Sequence, residues 1–154
     1  MKLLNKLILP VLICVSTIAG AQQKLGLNAV RTYDVTPADY GLVFDTIRVT
    51  TDDDASLFGW HLYPGEKNDK SSKKSVIISH DGNINMANSL EQAGKFLGLG
   101  YHVFMYDYRG FGKSSDFNVS PKFFIYQQFA SDLTGMIEYV KKYHALFSVD
   151  LYGY

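Results

Sequence analysis

Apolar and polar residues follow two different periods along this chain. Two segments alternate between apolar and polar side chains on either side of an acidic turn at residues 52–54, which predicts an antiparallel β-hairpin. Three shorter segments are apolar without alternation, as in strands that are buried on both faces of a parallel sheet. Two longer segments repeat apolar residues at helical spacing, which predicts amphipathic helices. In chain order these are strands at 42–51, 57–63 and 75–79, a helix at 86–99, a strand at 101–106, a helix at 125–144 and a strand at 148–152.

The order of these elements predicts the fold class. A hairpin followed by alternating strands and helices favours an α/β fold, in which an N-terminal hairpin joins a mostly parallel sheet flanked by helices. A length of 154 residues allows one domain. Residues 22–41 have no clear period and are predicted to form an N-terminal arm.

The first residues have the features of a secretory signal peptide. Two lysines precede an apolar stretch at 7–18, and small residues follow it at 19–21, so we predict a signal peptide at residues 1–21 and a secreted or periplasmic protein. The apolar stretch is shorter than the ~20 residues that a bilayer requires, which disfavours a membrane span. A lipoprotein signal at Cys14 is a further alternative, disfavoured by the bulky Ile13 before it.

Charge and cysteine content exclude several classes of function. The 15 basic and 15 acidic residues balance, so no basic surface is predicted for a nucleic acid partner. The chain has 1 cysteine, and cleavage after Ala21 would remove it, which excludes disulfides, thiolate catalysis and cysteine-ligated metals. Because His61, His102 and His144 are scattered without metal-ligand spacing, we expect no metal site.

Three segments rich in glycine and polar residues follow predicted strands. They are Ser-His-Asp-Gly-Asn at 79–83, Asp-Tyr-Arg-Gly-Phe-Gly-Lys-Ser-Ser at 107–115, and Leu-Tyr-Gly-Tyr at 151–154. Ligands of open α/β sheets bind outside the carboxyl ends of the strands. We therefore expect the three segments to meet at one edge of the sheet.

The second segment resembles the Asp-x-Arg-Gly-x-Gly-x-Ser loop of the α/β-hydrolase family. The pattern is met by Asp107, Arg109, Gly110, Gly112 and Ser114. The resemblance implies that residues 42–154 are the N-terminal half of an α/β-hydrolase domain. A phosphate-binding P-loop is the rival interpretation of the Gly-Lys-Ser at 112–114. It is disfavoured because Asp107 stands where its first glycine belongs.

The third segment resembles the start of the family's nucleophile elbow, Gly-x-Ser-x-Gly. Gly153 and Tyr154 match its first two positions, so the nucleophilic serine is expected directly after Tyr154. A side chain in place of Gly153 is expected to clash in the sharp turn. The resemblance then implies that this chain carries no catalytic residue and is inactive as a fragment.

The first segment corresponds to the family's His-Gly loop, which supplies a backbone donor of the oxyanion hole. The resemblance makes the N–H of Asp81 or Gly82 the candidate donor. Asp81 departs from the pattern because glycine is usual there. Its carboxylate would repel an oxyanion unless it is turned away.

The other motif residues are expected to act as scaffold. In the family the catalytic histidine comes late in the chain, so His80 is expected to brace its loop. Arg109 can make a bidentate pair with a carboxylate, and Ser114 and Ser115 are expected to be turn hydroxyls. The residues predicted to support the loops are His80, Asp107, Arg109, Gly110, Gly112 and Gly153.

The resemblance also implies a function for the full-length protein. It would be a serine hydrolase that cleaves ester, thioester or peptide acyl bonds through an acyl-enzyme. The resemblance implies no cofactor. The expected partner is a small-molecule or peptide substrate, with no stable membrane span after signal cleavage. The departure at Asp81 keeps open an alternative, a non-catalytic binding or scaffold protein with the same fold.

Overall fold

The computed structural model describes residues 29–67, 71–117, 125–143 and 148–153. The predicted signal peptide at 1–21 lies outside these residues, as does the beginning of the predicted arm. The strands and helices are β1 (Phe44–Thr50), β2 (Ser56–Leu62), β3 (Lys74–Ser79), α1 (Leu90–Gly98), β4 (His102–Tyr106), α2 (Ile125–Tyr143) and β5 (Ser148–Gly153). Each matches a predicted element of the same type, which confirms the predicted order.

The five strands form one mixed sheet in the order β1-β2-β4-β3-β5. The hairpin β1–β2 is antiparallel, and β2 is also antiparallel to β4. The strand β3 is parallel to both of its neighbours, β4 and β5. This arrangement confirms the predicted fold class, a hairpin joined to a parallel sheet with flanking helices.

The core lies on both faces of the sheet. One cluster packs under α1 and includes Trp60, Val76, Ile78, Met105, Leu90 and Ala93. The other packs under α2 and includes Leu57, Ile77, Phe104, Tyr106, Met136 and Val140. The continuous apolar runs of β3 and β4 are therefore explained by burial on two faces.

Two predictions about local structure need correction. The alternating pattern at 57–63 is typical of a strand that is buried on one face. The strand β2 is buried on both faces, because its side chains contribute to the core clusters on both sides of the sheet. The helix predicted at 86–99 begins as a 3₁₀ turn, Met86–Ser89, and becomes α-helical only at Leu90. Asn85 starts the turn, because its side chain accepts a hydrogen bond from the Ala87 N–H at 3.1 Å.

The part of the chain that the structure describes contains no helix with both the length and the apolar character needed to cross a bilayer.

Candidate active site

The ends of three parallel strands lie side by side in the sheet. Ser79 at the end of β3 pairs with Tyr106 at the end of β4 and with Gly153 at the end of β5. The segments that follow β3 and β4 therefore leave the sheet from one edge, beside Gly153. The prediction that the three segments share an edge is confirmed. Below, residues 80–85 are the β3 loop and residues 107–117 are the β4 loop.

His80 is a buried side chain that links the two loops. The N–H of Gly82 lies 3.2 Å from its Nδ1, and the N–H of Tyr108 lies 3.3 Å from its Nε2. A neutral imidazole accepts at only one nitrogen, so the tautomer decides which loop the ring holds more tightly. Burial lowers the pKa of His80 to about 4, which keeps the ring neutral near pH 7. The structure places His80 as a brace between backbones.

The Asp81 carboxylate is held by its own turn. It accepts hydrogen bonds from the backbone N–H of Asn83 at 2.9 Å and from Asn83 Nδ2 at 3.1 Å. These two bonds hold the pKa of the exposed Asp81 below its ordinary value. The charge that could repel an oxyanion is therefore bound to Asn83.

One of the two predicted oxyanion donors has a partner within the loop. The Gly82 N–H lies 3.2 Å from Nδ1 of His80. An oxyanion needs a donor at 2.7–3.1 Å that is directed toward it. The Gly82 N–H would have to exchange this partner for the ligand.

Asp107 joins the β4 loop to the start of the 3₁₀ turn and to the arm. Its buried Oδ1 accepts a hydrogen bond from the Met86 N–H at 2.9 Å. Its Oδ2 accepts from the hydroxyl of Tyr33. Burial raises the pKa of Asp107, although these donors oppose the shift. One carboxylate therefore connects three segments that are far apart in the sequence.

Arg109 is fully buried and binds two carboxylates. Its Nη2 lies 2.8 Å from Asp53 Oδ1, and Nη1 bonds the second oxygen of Asp53. Its Nε donates to Asp132 at 2.8 Å, and its backbone N–H donates to the same carboxylate at 3.0 Å. Burial alone would lower the pKa of Arg109, but the two carboxylates outweigh it and raise the pKa. The hydrogen bonds from Arg109 hold the pKa of Asp53 below its usual range. Arg109 thus ties the β4 loop to the β1–β2 turn and to α2.

The two motif glycines leave room for side chains of the loops. Gly112 has a φ of +43°, and a Cβ there would collide with the Asp107 carboxylate and the Tyr33 hydroxyl. Gly110 has a φ of +87°, and a Cβ there would collide with the ring of Phe117. Both positions therefore favour glycine for their positive φ, and Gly112 also has no space for a Cβ beside the bonded Asp107 carboxylate.

The serines of the β4 loop bond to backbone groups. The Ser114 hydroxyl donates to the Asp107 carbonyl at 2.6 Å and accepts from the Phe58 N–H at 2.8 Å. The Ser115 hydroxyl accepts from the Ser56 N–H at 3.0 Å. The two hydroxyls fasten the loop to β2.

Gly153 differs from the expectation. A Cβ there would meet only the Cβ of Ser79, at 3.9 Å, which is an ordinary contact. The predicted clash is absent among the described residues because Gly153 still has regular parallel pairing with Ser79. Tyr154 lies outside the described residues, so the rest of the predicted turn is not described.

Sequence reasoning missed one segment of this site. Residues 29–36, which we call the strap, lie across both loops. The Gly112 N–H donates to the Val30 carbonyl at 3.0 Å, and Asn85 Nδ2 donates to the Thr32 carbonyl at 2.6 Å. No periodicity or motif marks these residues, so the sequence held no signal for their position.

The histidines also differ from the expectation of scattered positions. His61 on β2 and His102 on β4 are buried side by side, with Nε2 and Nδ1 3.1 Å apart. His144 lies outside the described residues. Within the described ranges, no three side chains of His, Cys, Asp or Glu are grouped as metal ligands.

Comparison with known proteins decides the family. A family model described as serine aminopeptidase, S33, matches residues 70–154. The chain belongs to the serine aminopeptidase S33 family. The predicted resemblance to α/β hydrolases is confirmed.

Solved structures agree with the fold of this S33 family member. An esterase of Pyrococcus furiosus, Pf2001, aligns with a TM-score of 0.66 and 23% identity over 83% of this chain and 46% of its own. An esterase of Exiguobacterium antarcticum aligns with a TM-score of 0.54 and 23% identity over 70% of this chain and 34% of its own. DcsB, solved in complex with its substrate analogue, aligns with a TM-score of 0.57 and 18% identity over 72% of this chain and 36% of its own.

These likenesses show the fold alone. The chain spans less than half the length of each of these solved structures. No curated protein matches it.

Proposed function

We propose that this S33 family member, in a form that extends beyond Tyr154, is a serine hydrolase that cleaves ester, thioester or peptide acyl bonds. The observation that carries the proposal is the pairing of Ser79 with both Tyr106 and Gly153. It brings the β3 loop, the β4 loop and the end of β5 to one edge of the sheet, where α/β folds bind ligands.

The proposed reaction is acyl transfer. A serine directly after Tyr154 would attack the acyl carbon at this edge, and the bond from that carbon to the alcohol, thiol or amine of the substrate would break. The leaving group would depart with the proton that the serine gives up. Water would then hydrolyse the acyl-enzyme, which releases the acid and restores the serine hydroxyl. The Asp81 or Gly82 N–H would stabilise the oxyanion, a contribution worth about 3 kcal/mol. Because the Gly82 N–H now faces His80, it would serve as a donor only when the substrate displaces that partner.

A catalytic serine among the described residues is disfavoured by the bonds of the candidates. Ser114 is buried and bonded to two backbone groups. The Ser79 hydroxyl lies 3.0 Å from the hydroxyl of the buried Tyr106. His80 is neutral and faces backbone N–H groups. We therefore propose that the 154-residue chain alone has no hydrolase activity.

The deciding experiment begins with the codon that follows Tyr154 in the gene. If it encodes serine, the longer protein is assayed with p-nitrophenyl acetate and with an aminoacyl p-nitroanilide, and the serine-to-alanine variant is the matched control. We expect turnover that the alanine variant loses. Turnover by the 154-residue chain that survives replacement of both Ser114 and Ser115 by alanine would contradict this site assignment.

The proposed function includes export. The support is the sequence of residues 1–21, which has the charged, apolar and small-residue regions of a signal peptide. The mature protein is expected outside the cytoplasm with Gln22 as its first residue. Fractionation followed by N-terminal sequencing tests this, and a cytoplasmic protein that begins at Met1 would contradict it.

The second candidate function is a non-catalytic binding protein with the same fold. The bond between the Gly82 N–H and His80 favours it, because it occupies one of the two predicted oxyanion donors. Glycine or alanine encoded directly after Tyr154 would favour this candidate, and ligand binding without turnover would follow.

A further inference from the structure

The strap places one aromatic side chain at the junction of the two loops. The Tyr33 ring packs against Trp60 with centroids 5.0 Å apart and against Phe58 at 6.3 Å. Its hydroxyl donates to Asp107 and accepts from the Lys113 N–H at 3.3 Å. The phenol is therefore held by packing at its ring and by two polar groups at its tip.

Asp107 connects Tyr33 to the end of the β3 loop. The oxygen that does not bond Tyr33 accepts from the Met86 N–H at 2.9 Å. Met86 begins the 3₁₀ turn directly after the β3 loop. The loop is thus fixed at Ser79 by the sheet and at Met86 by Asp107, and the candidate donors Asp81 and Gly82 lie between these two points.

Both oxygens of the Asp107 carboxylate have close neighbours, and Tyr33 supplies the side-chain donor to one of them. On one side, a Cβ at Gly112 would already collide with Oδ2, so the backbone lies close against that oxygen. On the other side, Met86 bonds Oδ1. Burial and the nearby Asp107 raise the pKa of Tyr33, so its hydroxyl stays protonated and continues to donate.

We propose that Tyr33 is a positioning residue of the hydrolase site, because its hydroxyl orients Asp107, which in turn fixes Met86 and the loop that carries the oxyanion donors. The inference rests on the proposed function for its catalytic consequence. Its structural part, the link from Tyr33 to Met86, is independent of that function.

The test uses Tyr33→Phe, which keeps the ring contacts with Trp60 and removes only the hydroxyl. The first measurement is hydrogen exchange at the Met86 amide in the 154-residue chain, where we expect exchange to rise about tenfold. Trp60 is the only tryptophan, so unchanged fluorescence would show that the strap is still in place. Tyr40→Phe is the matched control, since Tyr40 is 61% exposed, and it should leave the Met86 amide unchanged.

The second measurement is ester hydrolysis by the longer protein. In Tyr33→Phe we expect kcat to fall about tenfold while KM stays within about twofold, a smaller loss than the ~100-fold that follows removal of an oxyanion donor. Tyr40→Phe should keep the parental kcat. Asp107→Asn is the second variant: its amide oxygen can still accept from Met86, but its NH₂ group cannot accept from Tyr33, so faster exchange at Met86 is expected again.

The outcomes separate the two proposals. If the parental longer protein hydrolyses no ester, the proposed function fails, and exchange at Met86 still decides the inference. If the parental protein is active and Tyr33→Phe matches it in kcat and in Met86 exchange, the inference is wrong. A lower melting temperature with unchanged relative protection at Met86 would also overturn it, because Tyr33 would then be a packing residue only.

Discussion

The β3 loop and the β4 loop leave the same edge of the sheet and are held in opposite ways. In the β4 loop, Asp107, Arg109 and Ser114 are buried, and each bonds to groups elsewhere in the fold. In the β3 loop, Asp81 and Asn83 are exposed and bond to each other. One loop is anchored along its length, and the other is anchored mainly near its ends.

The difference follows from what each loop has to do. A buried charge is tolerated only when it is paired, so the motif of the β4 loop is a set of groups that satisfy one another. A donor that must receive a ligand has to exchange any partner it already has, and the Gly82 N–H has its partner within the β3 loop itself, at 3.2 Å. The β4 loop, which matches the family motif, therefore holds the site together. The β3 loop, which departs from the family pattern at Asp81, carries the candidate oxyanion donors.

Replacing the buried guanidinium should have the largest effect. We expect Arg109→Met to lower the free energy of unfolding by about 3–5 kcal/mol, because it leaves the buried Asp132 without its charged partner. Denaturant unfolding of the 154-residue chain measures this. Lys95→Met is the control, since it removes an exposed pair with Glu91 at 3.2 Å, and its effect should be near the measurement error. Equal changes in the free energy of unfolding for the two substitutions would contradict the conclusion that buried ion pairs anchor the β4 loop.

The next largest effect is expected at Gly112. Gly112→Ala should cost at least about 2 kcal/mol, because alanine is strained at positive φ and its Cβ would displace the Asp107 carboxylate. Gly94→Ala in α1 is the matched control, since a Cβ there meets nothing within 4 Å. It should stabilise the protein by roughly 0.5–1 kcal/mol, because alanine favours a helix. Thermal melts that shift in the same direction for both variants would count against this interpretation.

The sequence predicted the strands and loops of the site better than the side-chain contacts between them. Continuous apolar runs are sufficient to identify strands such as β3, because a strand that is buried on two faces has no side chain in contact with solvent. The sequence predicted that Arg109 pairs with a carboxylate. It did not predict that Asp53 and Asp132 are the partners, because their positions beside Arg109 depend on how the hairpin turn and α2 pack against the sheet. Tyr33 could not be found, since a segment without a period gives no information about what it covers.

His80 connects the two loops, and its burial should appear as a dependence of stability on pH. Unfolded, the imidazole binds a proton near pH 6.5, whereas in the fold its pKa is about 4. Stability from this group is therefore complete above pH 6.5 and is lost as the pH falls toward 4. We expect about 2 kcal/mol less stability at pH 5 than at pH 7 from His80. Denaturant unfolding of the parent and of His80→Asn at pH 5 and at pH 7 isolates the contribution of His80. If both proteins lose the same free energy of unfolding between the two pH values, the prediction is wrong.

The smallest effect is expected at Asp81, and it decides whether the open loop is compatible with catalysis. Because the carboxylate is exposed and bonded to Asn83, Asp81→Asn should change the free energy of unfolding by less than about 0.5 kcal/mol. In the longer protein it should raise kcat for an ester by less than about twofold, since a solvated charge that is turned away repels an oxyanion weakly. Glu91→Gln on α1 removes an equivalent exposed charge at a distance from the loop and serves as the control. A gain in kcat of about tenfold or more for Asp81→Asn alone would mean that the carboxylate faces the oxyanion. The aspartate that stands at position 81 in place of glycine would then slow hydrolysis.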